Sequence, residues 1–138
     1  MNLNLSDITF VIVTYKSESV IQDCLNTLPS DSKKIIIENS NNTNLEKDLK
    51  LKYDNIEVIL SENIGMGAGN NIGIRNTNKD FALILNPDVI LEKDAINQII
   101  NAAKILDSFS VLAPMLKKIE HPNYCLLYTS PSPRDSIA

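Results

Sequence analysis

SENIGMGAGNNIGIRNTNKDFALILNPDV, residues 61–89, is the stretch from which the rest of the chain can be read. All four glycines of the 138-residue chain, Gly65, Gly67, Gly69 and Gly73, fall inside it. Glycine admits left-handed backbone and lets a ligand or a neighbouring element come close, so concentrating the whole supply here marks a loop with a task. An apolar run, Phe81 to Leu85, follows and stops at Asn86-Pro87-Asp88. A buried strand that delivers a carboxylate at its C-terminal end, beside a glycine- and asparagine-rich loop, is how open α/β sheets build ligand sites.

Upstream, Ile8 to Tyr15 is β-branched and aromatic with little polar interruption, the pattern of a central strand buried on both faces. Val20, Ile21, Cys24, Leu25 and Leu28 recur at helical spacing, and Ser19-x-x-Gln22 reads as a capping box ahead of them. Lys33 to Glu38 reads as a second strand, Leu45 to Tyr53 as a helix, and Ile56 to Leu60 as a third strand. A helix is expected from about Gly69 to Asn76, a fourth strand at Phe81 to Leu85, the strongest helix at Glu92 to Leu106, and a fifth strand at Val111 to Ala113. Such alternation implies an α/β fold: a mostly parallel, Rossmann-like sheet with helices on both faces and right-handed crossovers. The polar ends of strands one, two and four would then converge on one edge, which is the main argument for a site.

Hydrophobic residues make up 43% and charged residues 22% of the chain, as in an ordinary soluble domain. The net charge of −4 lacks the basic excess of a nucleic-acid binder. No apolar run is long enough to span a bilayer and no signal peptide opens the chain. Cys24 and Cys125 form no metal or redox spacing, so a reduced, cytoplasmic protein is the expectation. Cys24 reads as core, the lone His121 as a surface residue, and the Lys33-Lys34 and Lys117-Lys118 pairs as solvated edges.

Thr14-Tyr15-Lys16, Glu38-Asn39-Ser40, and Asn63-Ile64-Gly65 through Gly73 ahead of Asn86-Pro87-Asp88 occur in an order and spacing that resemble the family 2 glycosyltransferases, which have the GT-A fold. The nearest flavour is the bacterial rhamnosyltransferase-like branch, where Asn-x-Gly-x-x-x-Gly-Asn-Asn-x-Gly and Asn-Pro-Asp-Val are typical. The resemblance runs from Ile8 to about Met115. It implies that Thr14 and Tyr15 line the base of a nucleotide-diphosphate sugar, with Glu38, where relatives place Asp, hydrogen-bonding that base alongside Asn39. Ser40 reads as a turn residue. Asn63, Gly65 and Gly67 would shape the loop by the ribose and diphosphate, with Asn70 where many relatives carry Arg. Asp88 matches the last acid of the family's Asp-x-Asp motif and would hold Mg²⁺ or Mn²⁺, while Asn86 replaces the first. A plainer role for Asp88 is to cap the next helix or turn.

The resemblance implies an inverting hexosyltransferase that moves a sugar from dTDP-rhamnose or a UDP-sugar to a cell-surface glycan or lipid-linked acceptor, the full-length protein associating peripherally with a membrane. The general base such transfer needs is expected in a second half, so residues 1–124 read as the donor-binding part and as inactive alone. Residues 125–138, from Cys-Leu-Leu-Tyr-Thr-Ser-Pro-Ser-Pro-Arg-Asp onward, resemble a translated sequencing adapter and are set aside as a non-native tail. Two other readings stand beside this one. The same residues also fit a non-catalytic α/β nucleotide-binding fragment. A dinucleotide-binding oxidoreductase would need Gly-x-Gly-x-x-Gly in the first strand–helix turn, which has no glycine.

Overall fold

The computed structural model describes residues 2–114. The expected tail at 125–138, His121, Lys117-Lys118 and the boundary at 124 lie outside the described residues. One compact unit runs from Asn4 to Ile96, and the remaining described residues fall to a second.

Four strands, β1 (Ile8–Thr14), β2 (Lys33–Glu38), β3 (Ile56–Leu60) and β4 (Phe81–Leu85), form one sheet in the order β3-β2-β1-β4. Every pairing is parallel, with Thr14 opposite Glu38 and Ile12 opposite Leu85. All seven residues of β1 are buried, as its unbroken apolar run demands of a strand covered on both faces. Helices α1 (Ile21–Asn26) and α2 (Thr43–Lys52) make the crossovers from β1 to β2 and from β2 to β3. Both steps move the same way across the sheet, so right-handed connections put both helices on one face. They touch there: the Tyr53 hydroxyl just past α2 donates to Asn26 Oδ1 (2.8 Å).

Helix α3 (Met66–Asn76) runs back from β3 to β4 and therefore covers the opposite face. The contact is close because two glycines have no side chain. A Cβ on Gly69 would come within 2.8 Å of Val13 Cγ2, and one on Gly73 within 2.3 Å of Val11 Cγ1. Val13, Ile35 and Ile37, with Ile59 and Ile72 packed on them, form the core between this helix and the sheet.

Several expectations need correction. Helix α3 begins at Met66, ahead of Gly69, with Gly65 (φ 85°) as its N-cap and Gly69 N–H bonded to the Gly65 carbonyl. The glycines weaken the helix by up to about 1 kcal/mol each, but packing on the sheet outweighs that. Helix α1 lacks the Ser19/Gln22 capping box: Val20 is its N-cap, and the Ser17 carbonyl takes the Val20 and Ile21 N–H groups. Helix α2 starts earlier than expected, because Asn42 Oδ1 accepts the Leu45 N–H as a side-chain cap. Lys34 is no solvated edge. It is 2% exposed, and its Nζ donates to the carbonyls of Ser32 (2.9 Å), Asp54 (3.4 Å) and Ser30 (3.5 Å). Burial pushes its pKa below the ordinary lysine value, against the pull of Asp31 and Asp54.

The last helix, α4 (Ala95–Ile105), is shorter than the apolar stripe suggested, and Leu106 is 37% exposed. Ile96, Ile100 and Ala103 are its buried positions. Val111–Ala113 is irregular rather than a fifth strand, and Val111 is 75% exposed. Three apolar residues closed off by Pro114, which has no N–H for a ladder, are too little for a strand. No described helix is long and apolar enough to cross a membrane.

Candidate functional site

Parallel pairing brings the C-terminal ends of all four strands to one edge, and the sequence-predicted residues gather there in two layers. The lower layer is buried. Thr14 ends β1 and Glu38 ends β2; they face each other in register, and both are 0% exposed. Thr14 Oγ1 donates to Glu38 Oε1 (3.1 Å), and the Thr14 carbonyl accepts the Asn39 N–H (2.7 Å).

Glu38 has little left to offer a ligand. Its Oε1 also accepts from the Ser40 hydroxyl (2.7 Å), and its Oε2 accepts the N–H groups of Ser40 (3.1 Å) and Asn42 (2.7 Å). A carboxylate has about four acceptor positions, and all are in use. Glu38 thus binds the loop after β2 to the end of β1, and Ser40 extends the tie by accepting the Lys16 N–H (3.3 Å). Asn39, 2% exposed, donates through Nδ2 to the Gly65 carbonyl (3.2 Å) and so holds the glycine loop down. Its Oδ1 is buried without a hydrogen-bond partner among the described residues, as is Oδ1 of Asn70 on α3.

The upper layer is open to solvent. Tyr15 is 47% exposed, with Lys16 Nζ 5.3 Å from its ring centroid. Its turn is fixed by Ser17, whose hydroxyl accepts the Tyr15 N–H (3.1 Å) and donates to the Tyr15 carbonyl (3.2 Å). Across the edge, the exposed Asn63 accepts the Gly65 N–H through Oδ1 (3.3 Å). Gly67 lies in the exposed first turn of α3, and a Cβ there would meet nothing within 4 Å. The N–H groups of that turn are free of helical partners and carry the positive end of the helix dipole.

Asn86 and Asp88 are exposed on the turn after β4, which is closed by Val89 N–H donating to the Asn86 carbonyl (3.2 Å). Asp88 caps no helix, since α4 starts only at Ala95. Its carboxylate takes no hydrogen bond or ion pair among the described residues. No cluster of three or more His, Cys, Asp or Glu side chains suited to a metal exists among the described residues. A single unengaged carboxylate fits a hard divalent cation that draws its other ligands from phosphate and water.

The residues beneath this turn were not legible as site residues. Cys24, expected as core and 0% exposed, places its thiol 3.8 Å from the Asn86 carbonyl. Burial first, and then the nearby Asp88 charge, push that thiol's pKa up to about 11. Thr27 accepts the Leu91 N–H (3.2 Å). No spacing in the sequence announces contacts between an early helix and a distant loop. A polar hollow of about 370 Å³, lined by Asp31, Lys33, Asn55, Asn78 and Lys79 among others, sits at the other end of the strands, away from the predicted residues.

Residues 9–124 match the family model described as glycosyl transferase family 2. The chain is 29% identical over 117 residues to the low-salt glycan biosynthesis hexosyltransferase Agl10 of Haloferax volcanii, covering 81% of this chain and 37% of that protein. It is 34% identical over 98 residues to the poly-beta-1,6-N-acetyl-D-glucosamine synthase of Staphylococcus aureus, covering 66% of this chain and 24% of that protein. In structure it resembles S. aureus TarS 1-349 solved in complex with UDP-GlcNAc, with a TM-score of 0.60 at 17% identity over 80% of this chain and 38% of that one. The chain therefore spans well under half the length of each of these proteins.

Proposed function

The chain belongs to glycosyl transferase family 2, and from that premise we propose that it carries the donor-binding half of an enzyme that transfers a hexose from a nucleotide-diphosphate sugar. The observation that carries this reading is the layered edge. An exposed aromatic ring (Tyr15), a helix N-terminus behind a glycine loop (Gly65, Gly67) and an unengaged carboxylate (Asp88) stand on a buried floor of Thr14, Glu38 and Asn39. An aromatic face suits a base, the helix N-terminus suits phosphate, and the carboxylate suits a cation shared with phosphate. The UDP and UDP-GlcNAc complexes of TarS support a uridine donor; dTDP-rhamnose is the other donor proposed.

Within this reading Tyr15 stacks on the base. Asn63 and the α3 turn orient the diphosphate, and Asn70 and Asn86 flank it. Asp88 would hold Mg²⁺ or Mn²⁺, which when bound offsets the charge growing on the departing diphosphate. Glu38 acts one step back, keeping Asn39 and the loop in place. The acceptor is a cell-surface or lipid-linked glycan, transfer proceeds with inversion, and the general base comes from outside residues 2–114. We therefore propose that this chain binds donor without transferring sugar, the rhamnosyltransferase-like branch being the affiliation the Asn-Pro-Asp-Val motif favours.

A thermal-shift series tests this. UDP or dTDP should raise the melting temperature more with Mn²⁺ than without it, and Asp88→Ala should abolish the difference. A response to NAD alone would overturn the reading in favour of a dinucleotide enzyme. Silence to every nucleotide would reduce the chain to an α/β module without donor binding.

A further inference from the structure

Helix α1 does more than cross from β1 to β2. The loop from Asn86 to Leu91 carries Asp88, and its residues are exposed or half-buried, so it has little core of its own to hold it. It is instead held at both ends by helix α1 and the residue that caps its C-terminus, Thr27. At its start, the Cys24 thiol donates to the Asn86 carbonyl (3.8 Å). At its end, the Thr27 hydroxyl accepts the Leu91 N–H (3.2 Å) while donating to the Cys24 carbonyl (2.7 Å). Between these ties the loop is closed by the Val89 N–H, which donates to the Asn86 carbonyl (3.2 Å).

Positions 24 and 27 stand one helical turn apart and so share a face. We infer that the last turn of α1 and its C-cap form a clamp that sets the position of Asp88, with the C-cap Thr27 as its main positioning residue. The inference rests on the reading of Asp88 as the residue that meets the cation. A carboxylate that supplies one ligand of several must sit within about 0.5 Å of its working position, which an exposed loop does not achieve without support. Because α1 follows directly from the turn bearing Tyr15, the clamp also makes one element responsible for both the aromatic and the carboxylate side of the site.

The test compares Thr27→Val, which keeps shape but loses the acceptor, with Thr27→Ser, which keeps the hydroxyl, in the full chain. Two quantities are read: amide exchange at Val89 and Leu91, and Mn²⁺ retention in the presence of UDP against UDP binding alone. Thr27→Val should speed Leu91 exchange about ten-fold and weaken Mn²⁺ retention about five- to ten-fold, on the scale of one lost hydrogen bond. UDP binding without metal should be unchanged, and Thr27→Ser should restore both readouts. Cys24→Ala, which removes the other tie, should act in the same direction and serves if Thr27→Val does not fold. Unchanged Leu91 exchange overturns the clamp, and so does faster exchange with undiminished Mn²⁺ retention. Failure of the unmodified chain to retain Mn²⁺ with UDP overturns the reading of Asp88 itself, a result told apart from clamp failure because it precedes any substitution.

Discussion

Gly67 and Gly73 belong to the same helix and answer to opposite demands. At Gly73 the sheet leaves no room, and a methyl group would lie 2.3 Å from Val11 Cγ1. Gly73→Ala should therefore cost about 1–3 kcal/mol in urea unfolding, and Val11→Ala in the same chain should recover part of it. At Gly67 nothing lies within 4 Å, so Gly67→Ala should raise the urea midpoint, by up to about 1 kcal/mol in stability. If the proposed donor site is right, the same Gly67 variant should bind UDP more weakly despite being more stable. The concentration of glycines was visible in the sequence, but its division into packing and open positions was not. That division depends on which strand residues lie underneath, and Val11 and Val13 are far away in the chain.

Among the elements, the stretch joining β2 to α2 shows what a sequence reading can and cannot supply. Both elements were legible, the strand from Ile35-Ile36-Ile37 and the helix from its apolar spacing. The carboxylate between them read as a ligand group, because residue type alone does not reveal how many of the chain's own donors surround it. Glu38 in fact accepts four hydrogen bonds, from Thr14, Ser40 and Asn42. Glu38→Gln would turn part of that acceptor set into a donor facing donors. It should destabilise the chain by about 1–3 kcal/mol in urea unfolding, with UDP binding falling as the loop loosens. If stability held and only UDP binding fell, direct contact with the nucleotide would be the better account. The strand at Val111–Ala113 failed for the converse reason: apolar residues were present, but length and Pro114 worked against pairing.

For the molecule as a whole, the buried charge of Lys34 lies at the end of the sheet opposite the proposed binding edge. Lys34 lies buried at the N-terminal end of β2, and burial holds its pKa below the ordinary 10.5. Between the folded value and 10.5 the unfolded chain binds the extra proton, so this group adds stability as pH rises through that window and subtracts it as pH falls. The urea midpoint of the natural chain, measured against Lys34→Met, should climb on approach to pH 10.5; a constant difference would show that the folded ammonium titrates normally. The parallel sheet and the shared C-terminal edge of its strands followed from the alternation of strand and helix, whereas the order β3-β2-β1-β4 was not read from the sequence. The two layers of that edge differ in how they come apart. The floor, Thr14 and Glu38, belongs to the two strands paired on both sides, whereas Tyr15, Asn63 and Asp88 stand on turns that can open while the sheet stays intact. If the proposed donor site is right, nucleotide binding should vanish on gradual warming at a lower temperature than the circular dichroism of the sheet. The protein would then spend a range of temperatures folded but unable to hold its donor, so that its working limit is reached before its melting point.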